Sequence, residues 1–387
     1  MTTWYSSDLG WTAGQDISDE FASLVGALRP GDTLVLEDMF RISGSNHQLP
    51  DDFTLTATKG GGFDIIDADT NSNPLLRLGD GNTLDNVTIS TVSSTPDTGY
   101  SGNDAKSGVD YVPGAVIAAF DVDDLTIVDS AFEGNVAMHF DLRFVDNVTV
   151  KSSTFDGGYY QMRWIGEASN YSVEGSVFQN ALGDGIKTVK GNGAISNITV
   201  KDSYFLNNER DGIDTTGGFK DSVISNTVFV GGGIDIKTGI DGPEDLAYAP
   251  LNTNIRIENS EFIDTKNGIV TTMLDKAGLM TLDNVDEVMP SYITVTDTIF
   301  EMTNDSQGGQ RAFFVKDGHN ITWDNIQLLG GVTELRLLNA EAPDGWSAYN
   351  VGGTNVTTGP SRGEPEYSFD AVPVDKALEG EQTEDKE

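Results

Sequence analysis

The chain has 387 residues, no cysteine, and 61 acidic against 23 basic residues, which gives a formal net charge of −38. This composition excludes disulfides and thiolate catalysis, and it argues against a nucleic-acid partner because phosphate binding needs a basic surface. No apolar run reaches the length of a membrane helix. The 44 glycines, together with many asparagine and β-branched residues, predict an all-β chain rich in turns.

The first predicted element is an amphipathic helix over residues 17–28, ISDEFASLVGAL. Asp19 and Glu20 lie in its first turn, where negative charge is favourable. A turn, RPGD, and a first strand, TLVLE, follow directly. We expect this helix to cap the open end of a β structure.

A repeated phrase organises the rest of the chain. It combines a turn residue, alternating apolar positions, a polar residue and an aromatic residue, as in DLTIVDSAFEGN from Asp124 and NVTVKSSTFDGG from Asn147. Six further copies begin at Asn170, Asn197, Asp221, Asn254, Ser291 and Asn320. The spacing of these copies, with short strands and no helices between them, predicts a right-handed parallel β-helix. This fold is a solenoid whose coils stack about 4.8 Å apart.

The domain organisation follows from the same repeat. Residues 1–360 are predicted to form a single parallel β-helix domain that includes the N-terminal cap. Longer steps between copies predict loops that leave the column at 238–252 and 272–290. The remaining residues, 361–387, are rich in acids and are predicted to be a linker or disordered tail.

A second strand follows each copy, and its middle members share a register. Three of them place an isoleucine at the same position: Ile186, Ile213 and Ile234. The next residue of each is charged: Lys187, Asp214 and Asp235. Because successive strand residues point to opposite faces, the isoleucines are predicted to point inward and the charged residues outward, with Lys237 one step further along. Arg143 and Arg163 belong to earlier strands of the same face.

The charge distribution favours an anionic ligand at this face. Residues 140–240 contain nine basic and twelve acidic residues, so this segment carries −3 of the total charge of −38. The middle of the column therefore carries little of the net negative charge, as the binding of an anion requires.

The acidic residues of these strands predict a metal site. Asp184, Asp211 and Asp214 lie on two neighbouring coils, with Asp235 on the next. Clustered carboxylates without Cys or His suit Ca²⁺, which prefers oxygen ligands. A purely structural Ca²⁺ site and a simple Lys–Asp ladder remain open alternatives.

Basic residues beside such a cation suggest a reaction. Lys187, Lys190, Lys237 and Arg163 would lie near it, and positive charge lowers the pKa of a neighbouring lysine until it can accept a proton. These groups suit β-elimination from a uronic acid polymer, in which a lysine removes the C5 proton and the C4–O bond breaks. Lys237 and Lys187 are the candidate bases, with Arg163 as a further catalytic candidate.

The segments GDGIKTVKG and RDGIDTTGG resemble coils of the family 9 polysaccharide lyases, the pectate lyase group of β-helix enzymes. The resemblance covers residues 183–240. It implies that Asp184, Asp211 and Asp214 bind Ca²⁺ and that Lys237 is the base. The chain departs from that family at Arg210, where the family has an aspartate, and Asp235 is the candidate replacement ligand.

Further residues of this face are candidates for holding substrate. Arg143, Lys190 and Arg210 can pair with sugar carboxylates. Tyr160 and Trp164 are candidate platforms on which a sugar ring can stack.

Other functions on this fold stay open. A uronan C5-epimerase shares the proton-abstraction step, and a β-helix adhesin or tailspike-like shaft would bind glycans without catalysis. A hydrolase of the polygalacturonase type would need a Gly-His-Gly turn, which the sequence lacks. We expect an extracellular monomer that acts on an acidic polysaccharide, although residues 1–14 show no signal peptide.

Overall fold

The structure of the chain is a computed structural model, and part of the sequence falls outside its description. The predicted substrate residue Lys190 and nearly all of the predicted tail lie outside the described residues. The residues that it describes are 1–58, 60–67, 74–91, 112–189, 191, 193–240, 243–247, 251–275, 285–303, 310–337 and 348–363.

The described residues form short strands and three helices. The helices are α1 (Ser18–Val25), α2 (Pro243–Leu246) and α3 (Val285–Val288). The strands, numbered in chain order, are β1 (Thr3–Tyr5), β2 (Thr33–Leu36), β3 (Met39–Ser43), β4 (His47–Gln48), β5 (Thr54–Ala57), β6 (Gly62–Asp67), β7 (Leu76–Leu78), β8 (Thr83–Asp85), β9 (Thr88–Ser90), β10 (Val112–Phe120), β11 (Asp123–Val128), β12 (Ala131–Glu133), β13 (Val136–Arg143), β14 (Asp146–Lys151), β15 (Thr154–Asp156), β16 (Tyr160–Ile165), β17 (Ala168–Glu174), β18 (Val177–Gln179), β19 (Ile186–Val189), β20 (Ile195–Lys201), β21 (Tyr204–Leu206), β22 (Asp211–Asp214), β23 (Phe219–Ser225), β24 (Val228–Val230), β25 (Gly233–Ile240), β26 (Asn252–Glu258), β27 (Glu261–Ile263), β28 (Asn267–Asp275), β29 (Ser291–Glu301), β30 (Arg311–Val315), β31 (His319–Leu329), β32 (Thr333–Leu337) and β33 (Tyr349–Gly359).

The strands stack into parallel sheets along one column. We call the sheet that carries the charged strands the front sheet; its order is β4, β7, β10, β13, β16, β19, β22, β25, β28, β30 and β32. Two further rows, which we call the back rows, run from β1 to β26 and from β3 to β27. The back rows merge at β29, β31 and β33, because each of these strands is long enough to run through both rows. The predicted all-β parallel β-helix is confirmed.

A column of stacked phenylalanines fills the interior behind the second back row. One ring comes from each repeat, and neighbouring ring centres lie between 4.7 and 5.1 Å apart. The rings belong to Phe132, Phe155, Phe178, Phe205, Phe229, Phe262 and Phe300, all of them buried. The aromatic position of the repeated phrase is therefore the position that stacks coil on coil.

The N-terminal end of the column is covered by α1, as the sequence predicted. Phe21 and Leu24 of this helix are buried. The ring of Phe21 packs edge-on against Phe63 at 5.1 Å, inside the first coils. Burying the apolar face of α1 removes the end of the hydrophobic column from water.

The predicted loops at 238–252 and 272–290 leave the column later than expected. Strand β25 continues to Ile240, and β28 continues to Asp275, beyond the ends of their neighbours in the front sheet. Ile240 and Met273 on these extensions form a small buried cluster with Val288 and Met289. The described ends of these insertions thus pack beside the front sheet, next to the coil that carries Lys237.

Candidate functional site

The front sheet places the predicted charged residues at one level. Ile186 pairs with Ile213, and Ile213 pairs with Ile234; all three side chains are buried. Lys187 is correspondingly paired with Asp214, and Asp214 with Asp235, on the outer face. The alternation of side chains read from the sequence therefore describes the local geometry.

Glycine precedes each of these isoleucines for a steric reason. A Cβ on Gly185 would lie 2.8 Å from the carbonyl oxygen of Gly212 and 2.9 Å from the ring of Phe205. A Cβ on Gly212 would lie 2.6 Å from the ring of Phe229. The Asp-Gly-Ile pattern thus lets the backbone approach the phenylalanine column while the aspartate before it stays at the site.

Three carboxylates meet at the centre of the site. Each of Asp184, Asp211 and Asp214 offers an oxygen that lies within 4.8 Å of the oxygens of the other two. The side chain of Asp184 is about 1% exposed, and neither of its oxygens accepts a hydrogen bond from the residues that the structure describes. A buried carboxylate without hydrogen bonds is costly, so this group needs a proton or a cation.

Two lysines contact the same carboxylates. Lys187 Nζ pairs with Asp214 Oδ2 and lies 3.6 Å from Asp184 Oδ2. Lys237 Nζ lies 3.1 Å from Asp214 Oδ2 and 2.7 Å from Asp235 Oδ2. Both amines are therefore within direct contact distance of the carboxylate cluster, on the same wall of the column.

Threonine and asparagine side chains hold this arrangement, and the sequence reading missed them. Asp214 Oδ1 accepts hydrogen bonds from the backbone N–H and the hydroxyl of Thr216, at 2.9 and 2.6 Å. Buried Asn252 donates to the carbonyls of Thr215 and Lys237 and accepts from the Thr215 hydroxyl. Asn252 thereby ties β25 to the loop after β22. The threonine pair after Asp214 was the only sequence signal for this support.

The surroundings push the pKa values of the carboxyl groups apart. Burial, together with the Asp214 carboxylate, raises the pKa of Asp184 to about 7. Burial and the neighbouring Asp184 and Asp235 raise the pKa of Asp211 well above its ordinary range. Burial opposes ionisation of Asp214 as well, but Lys187 and Lys237 outweigh it and hold the pKa of Asp214 below its ordinary value.

Lys237 departs from the sequence expectation of a lowered pKa. Burial alone would lower its pKa, but Asp214 and Asp235 outweigh burial and raise the pKa above the ordinary value for lysine. The expectation rested on a bound cation beside the amine, whereas the charges that contact Lys237 among the described residues are those of two carboxylates.

Replacing Asp184 by Asn is expected to change how stability depends on pH in EDTA. The folded pKa of Asp184, about 7, lies above the unfolded value of 3.8. Ionisation is therefore harder in the folded state, and the contribution of Asp184 to stability falls as the pH rises from about 4 to about 7. Asp184→Asn cannot ionise, so it should gain up to about 4 kcal/mol relative to wild type across this window. Urea unfolding of both proteins at several pH values measures the difference.

The control for this experiment is Asp38→Asn, which removes an exposed carboxylate far from the site. Its stability relative to wild type should stay nearly constant over the same pH range. If the stability difference for Asp184→Asn is constant as well, burial does not raise the pKa of the Asp184 carboxyl.

The carboxylate cluster fits a calcium ion. Oxygen ligands bind Ca²⁺ at about 2.3–2.6 Å, so ligands of one ion lie up to about 5 Å apart. The 4.8 Å spread of the three aspartate oxygens meets this limit. Four carboxylates and two ammonium groups leave two net negative charges, which a divalent cation would balance. Asp184, whose oxygens accept no hydrogen bond among the described residues, has free ligand capacity.

The two predicted arginines lie one and two strands earlier, where they share a carboxylate. Arg163 Nε and Nη2 donate to both oxygens of Asp141, at 2.9 and 2.7 Å. Arg143 donates twice to Asp141 Oδ2, at 2.9 and 2.6 Å. Asp141 is buried, whereas the Arg143 side chain is 43% exposed. The pair is thus a preorganised cationic surface beside the site, and a substrate carboxylate would compete with Asp141 for it.

Trp164 does not lie on the outer face of the front sheet. Its predicted role as a substrate-binding residue is therefore wrong. Its side chain is fully buried and packs against Tyr171, with ring centres 4.6 Å apart. The reason is the alternation along β16: because Arg163 points outward, Trp164 points inward. It cannot serve as a sugar platform.

The other two predicted substrate residues lie at the edge of the site. Tyr160 is largely buried, and Lys187 Nζ lies 6.0 Å from its ring centre. Arg210 is exposed, with its guanidinium carbon 5.3 Å from the ring centre of Tyr159. Tyr159 and Tyr160 pack together in a small cluster outside the main core. Their role in binding a substrate stays a prediction.

Comparison with known proteins supports the fold. The family model described as a right handed beta helix region matches residues 140–298. No curated protein matches the chain. The described helices are all too short or too polar to cross a membrane.

Solved structures with similar folds carry different functions. The hyperthermoactive exopolygalacturonase of Thermotoga maritima shares 12% identity at a TM-score of 0.62, covering 92% of this chain and 91% of that one. The polygalacturonase of Erwinia carotovora shares 13% identity at 0.60, covering 92% and 96%. The surface adhesin PfbA of Streptococcus pneumoniae shares 14% at 0.55, covering 94% and 93%. These similarities establish a right-handed parallel β-helix and leave the activity to be argued from the site.

Proposed function

We propose that this protein is a polysaccharide lyase that cleaves a uronic-acid-containing polymer by β-elimination, with Ca²⁺ as cofactor. The observation that carries the proposal is the meeting of Asp184, Asp211 and Asp214 with two partly exposed lysine amines on the outer face of the front sheet. Hydrolysis by paired carboxyls needs no lysine at this place, and a purely binding surface needs no buried carboxylate without hydrogen bonds.

Asp184, Asp211 and Asp214 would hold the cation, with Asp235 as a further candidate ligand. When bound there, Ca²⁺ would neutralise the carboxylate of the sugar and so make the hydrogen on the adjacent carbon more acidic. The same charge balance would relieve the repulsion among the four aspartates.

Lys237 is proposed as the base. Its neutral amine accepts the C5 proton; the electrons of that C–H bond form the C4–C5 double bond as the C4–O bond breaks, and the leaving oxygen takes up a proton. Asp214 and Asp235 raise the pKa of Lys237. Lys237 can therefore act only when the negative charge of these carboxylates is balanced by something other than its own ammonium group.

Lys187 is the competing base, because it contacts the same Asp214 oxygen from the preceding coil. It is the less exposed of the two, at 13% against 20% for Lys237. In the proposed assignment Lys187 stays protonated and compensates Asp184 and Asp214. The protein is further proposed to work outside the cell, as a monomer.

The proposal predicts that the protein releases 4,5-unsaturated uronates from at least one acidic polymer. Purified protein is incubated with polygalacturonate, alginate or glucuronan, in CaCl₂ or in EDTA, and the ultraviolet absorbance of the unsaturated product is followed. We expect absorbance to rise with one polymer in CaCl₂ and to stay flat in EDTA, because the aspartates would lose their cation.

Other results would identify a different function. New reducing ends without absorbance would indicate hydrolysis, in which the protonated Asp184 or Asp211 would act as a general acid. Exchange of the C5 hydrogen in D₂O without cleavage would indicate epimerisation. Binding without any reaction would favour a glycan-binding shaft.

A further inference from the structure

The front sheet carries a second group of cations beyond the site. Arg311 and Arg336 lie on β30 and β32, and Lys316 follows β30 directly. Their charged ends surround one ring, that of Phe314, at 5.5, 5.3 and 5.2 Å from its centre. We call these four residues the Phe314 patch.

This patch lies in line with the candidate site. Asp235 pairs with Val270, and Val270 pairs with Phe314, so the three residues occupy one level of the outer face. The patch begins two strand spacings from the site, or about 10 Å. The ring of Phe314 is partly exposed, whereas its neighbour Phe313 points into the core.

The three cations lack anionic partners within the described part of the chain. None of them forms an ion pair there; Arg311 donates one hydrogen bond, to Asn267. Each contact with the ring is weakly favourable. Asp317, which follows Lys316 in the chain, accepts the backbone N–H of Met273. Three like charges around one ring repel one another, and an anion placed between the cationic groups would relieve that repulsion.

A similar arrangement lies at the opposite end of the front sheet. The guanidinium carbons of Arg77 and Arg143 each lie 4.9 Å from the ring centre of Phe120. Phe120 on β10 and Phe314 on β30 are separated by seven strand spacings, or about 34 Å. The candidate site lies between them.

The distribution of charge sets this sheet apart from the rest of the protein. Seven of the 23 basic residues lie on front-sheet strands, against six of the 61 acidic residues. A neutral or cationic ligand would gain nothing from this enrichment. An extended polyanion that lies along the column meets a cationic surface on both sides of the site and a strongly acidic surface elsewhere.

We propose that the front sheet binds a long acidic polysaccharide along its length, with the Phe314 patch as a remote subsite that grips sugar carboxylates and stacks a sugar ring on Phe314. This inference rests on the proposed function for the polymer class. It adds that polymers spanning several coils bind more tightly than short oligomers, and that the preference comes from residues outside the catalytic machinery.

The test removes two charges from the patch and compares them with two charges elsewhere. Lys316→Gln/Arg336→Gln is compared with Lys151→Gln/Arg256→Gln, a control pair of exposed residues on β14 and β26 of a back row. Both doubles change the net charge equally. Binding to fluorescently labelled long polygalacturonate and alginate is measured in CaCl₂, with Lys237→Arg added to all proteins to prevent cleavage.

We expect the patch double variant to bind its preferred polymer about tenfold more weakly than the control double. The difference should shrink as salt is raised, because salt screens exposed charges. With Lys237 intact, kcat/KM on disaccharides should be the same for both doubles, since a disaccharide held at the site reaches less far than the two strand spacings that separate the site from the patch.

Equal binding by the two doubles would overturn the remote subsite and leave the proposed lyase activity standing. Loss of disaccharide turnover in the patch double would also overturn it, since the patch would then belong to the catalytic centre. Patch-dependent binding in a protein that never forms unsaturated product would uphold the subsite while rejecting the lyase. Absence of polymer binding by the unmutated protein would reject the subsite itself.

Discussion

Replacement of Lys237 by Ala is expected to lower kcat on the responsive polymer by about 10²–10⁴-fold, the contribution that a general base usually makes. The reason is that Lys237 is an amine in direct contact with both Asp214 and Asp235 on the open wall of the column. Initial rates of unsaturated product formation measure the loss. Circular dichroism and thermal unfolding establish that the variant is folded.

Lys237→Arg separates the chemistry of Lys237 from its charge. Arginine keeps a positive charge beside Asp214 and Asp235, so the fold should be as stable as the wild type. A guanidinium stays protonated in proteins and cannot accept the C5 proton. We therefore expect Lys237→Arg to be as inactive as Lys237→Ala.

Lys187→Ala and Lys201→Ala are the matched controls for the base. Lys201 pairs with Glu174 on a back row, away from the site, and its loss should leave the rate unchanged. Lys187→Ala should reduce the rate less than Lys237→Ala, since it removes only charge compensation. The opposite order, with Lys187 essential and Lys237 dispensable, would move the base to the preceding coil.

Trp164→Ala is expected to lower the free energy of unfolding by about 3–5 kcal/mol, the usual cost of deleting a buried tryptophan side chain. Trp164 is fully buried and packs on Tyr171, whose hydroxyl donates to the Val145 carbonyl at 2.8 Å. The cavity left behind would separate two coils of the column. Urea unfolding followed by circular dichroism measures the change.

Tyr292→Ala is the control for this substitution, because Tyr292 is an aromatic residue that is 60% exposed. Its effect on stability should stay within about 0.5 kcal/mol. Trp164→Phe should recover most of the lost stability and leave the KM for polymer unchanged. A raised KM for Trp164→Phe with unchanged stability would instead indicate that Trp164 contacts the substrate.

Most of the fold follows from the periodicity of the sequence. The repeated phrase placed the turn asparagines, the inward aliphatic residues and the stacked phenylalanines, because every coil must present the same apolar positions to the next one. The weaker copies from Ser291 and Asn320 were also recognisable. In the structure they are the continuous strands β29 and β31, where the back rows merge.

The candidate site was predicted less completely than the fold. The alternation around Ile186, Ile213 and Ile234 was sufficient to place Lys187, Asp214 and Asp235 together. The same alternation, applied to Arg163, places Trp164 on the inner face, so the burial of Trp164 was predictable from the sequence. Lys190 lies outside the described residues, and the binding of Ca²⁺ stays a prediction.

The sequence by itself determined the coil, its inward and outward positions, and the level at which Lys187, Asp214 and Asp235 lie, because these are local properties of a strand that repeats every coil. Only the tertiary structure decided which charges touch: that two arginines share Asp141, that Asn252 supports the site, and that three cations surround Phe314. These contacts join residues on different coils, and the coils differ in length because of their insertions. Spacing along the chain therefore predicts the level of a residue, but not which side-chain atoms on neighbouring coils are in contact.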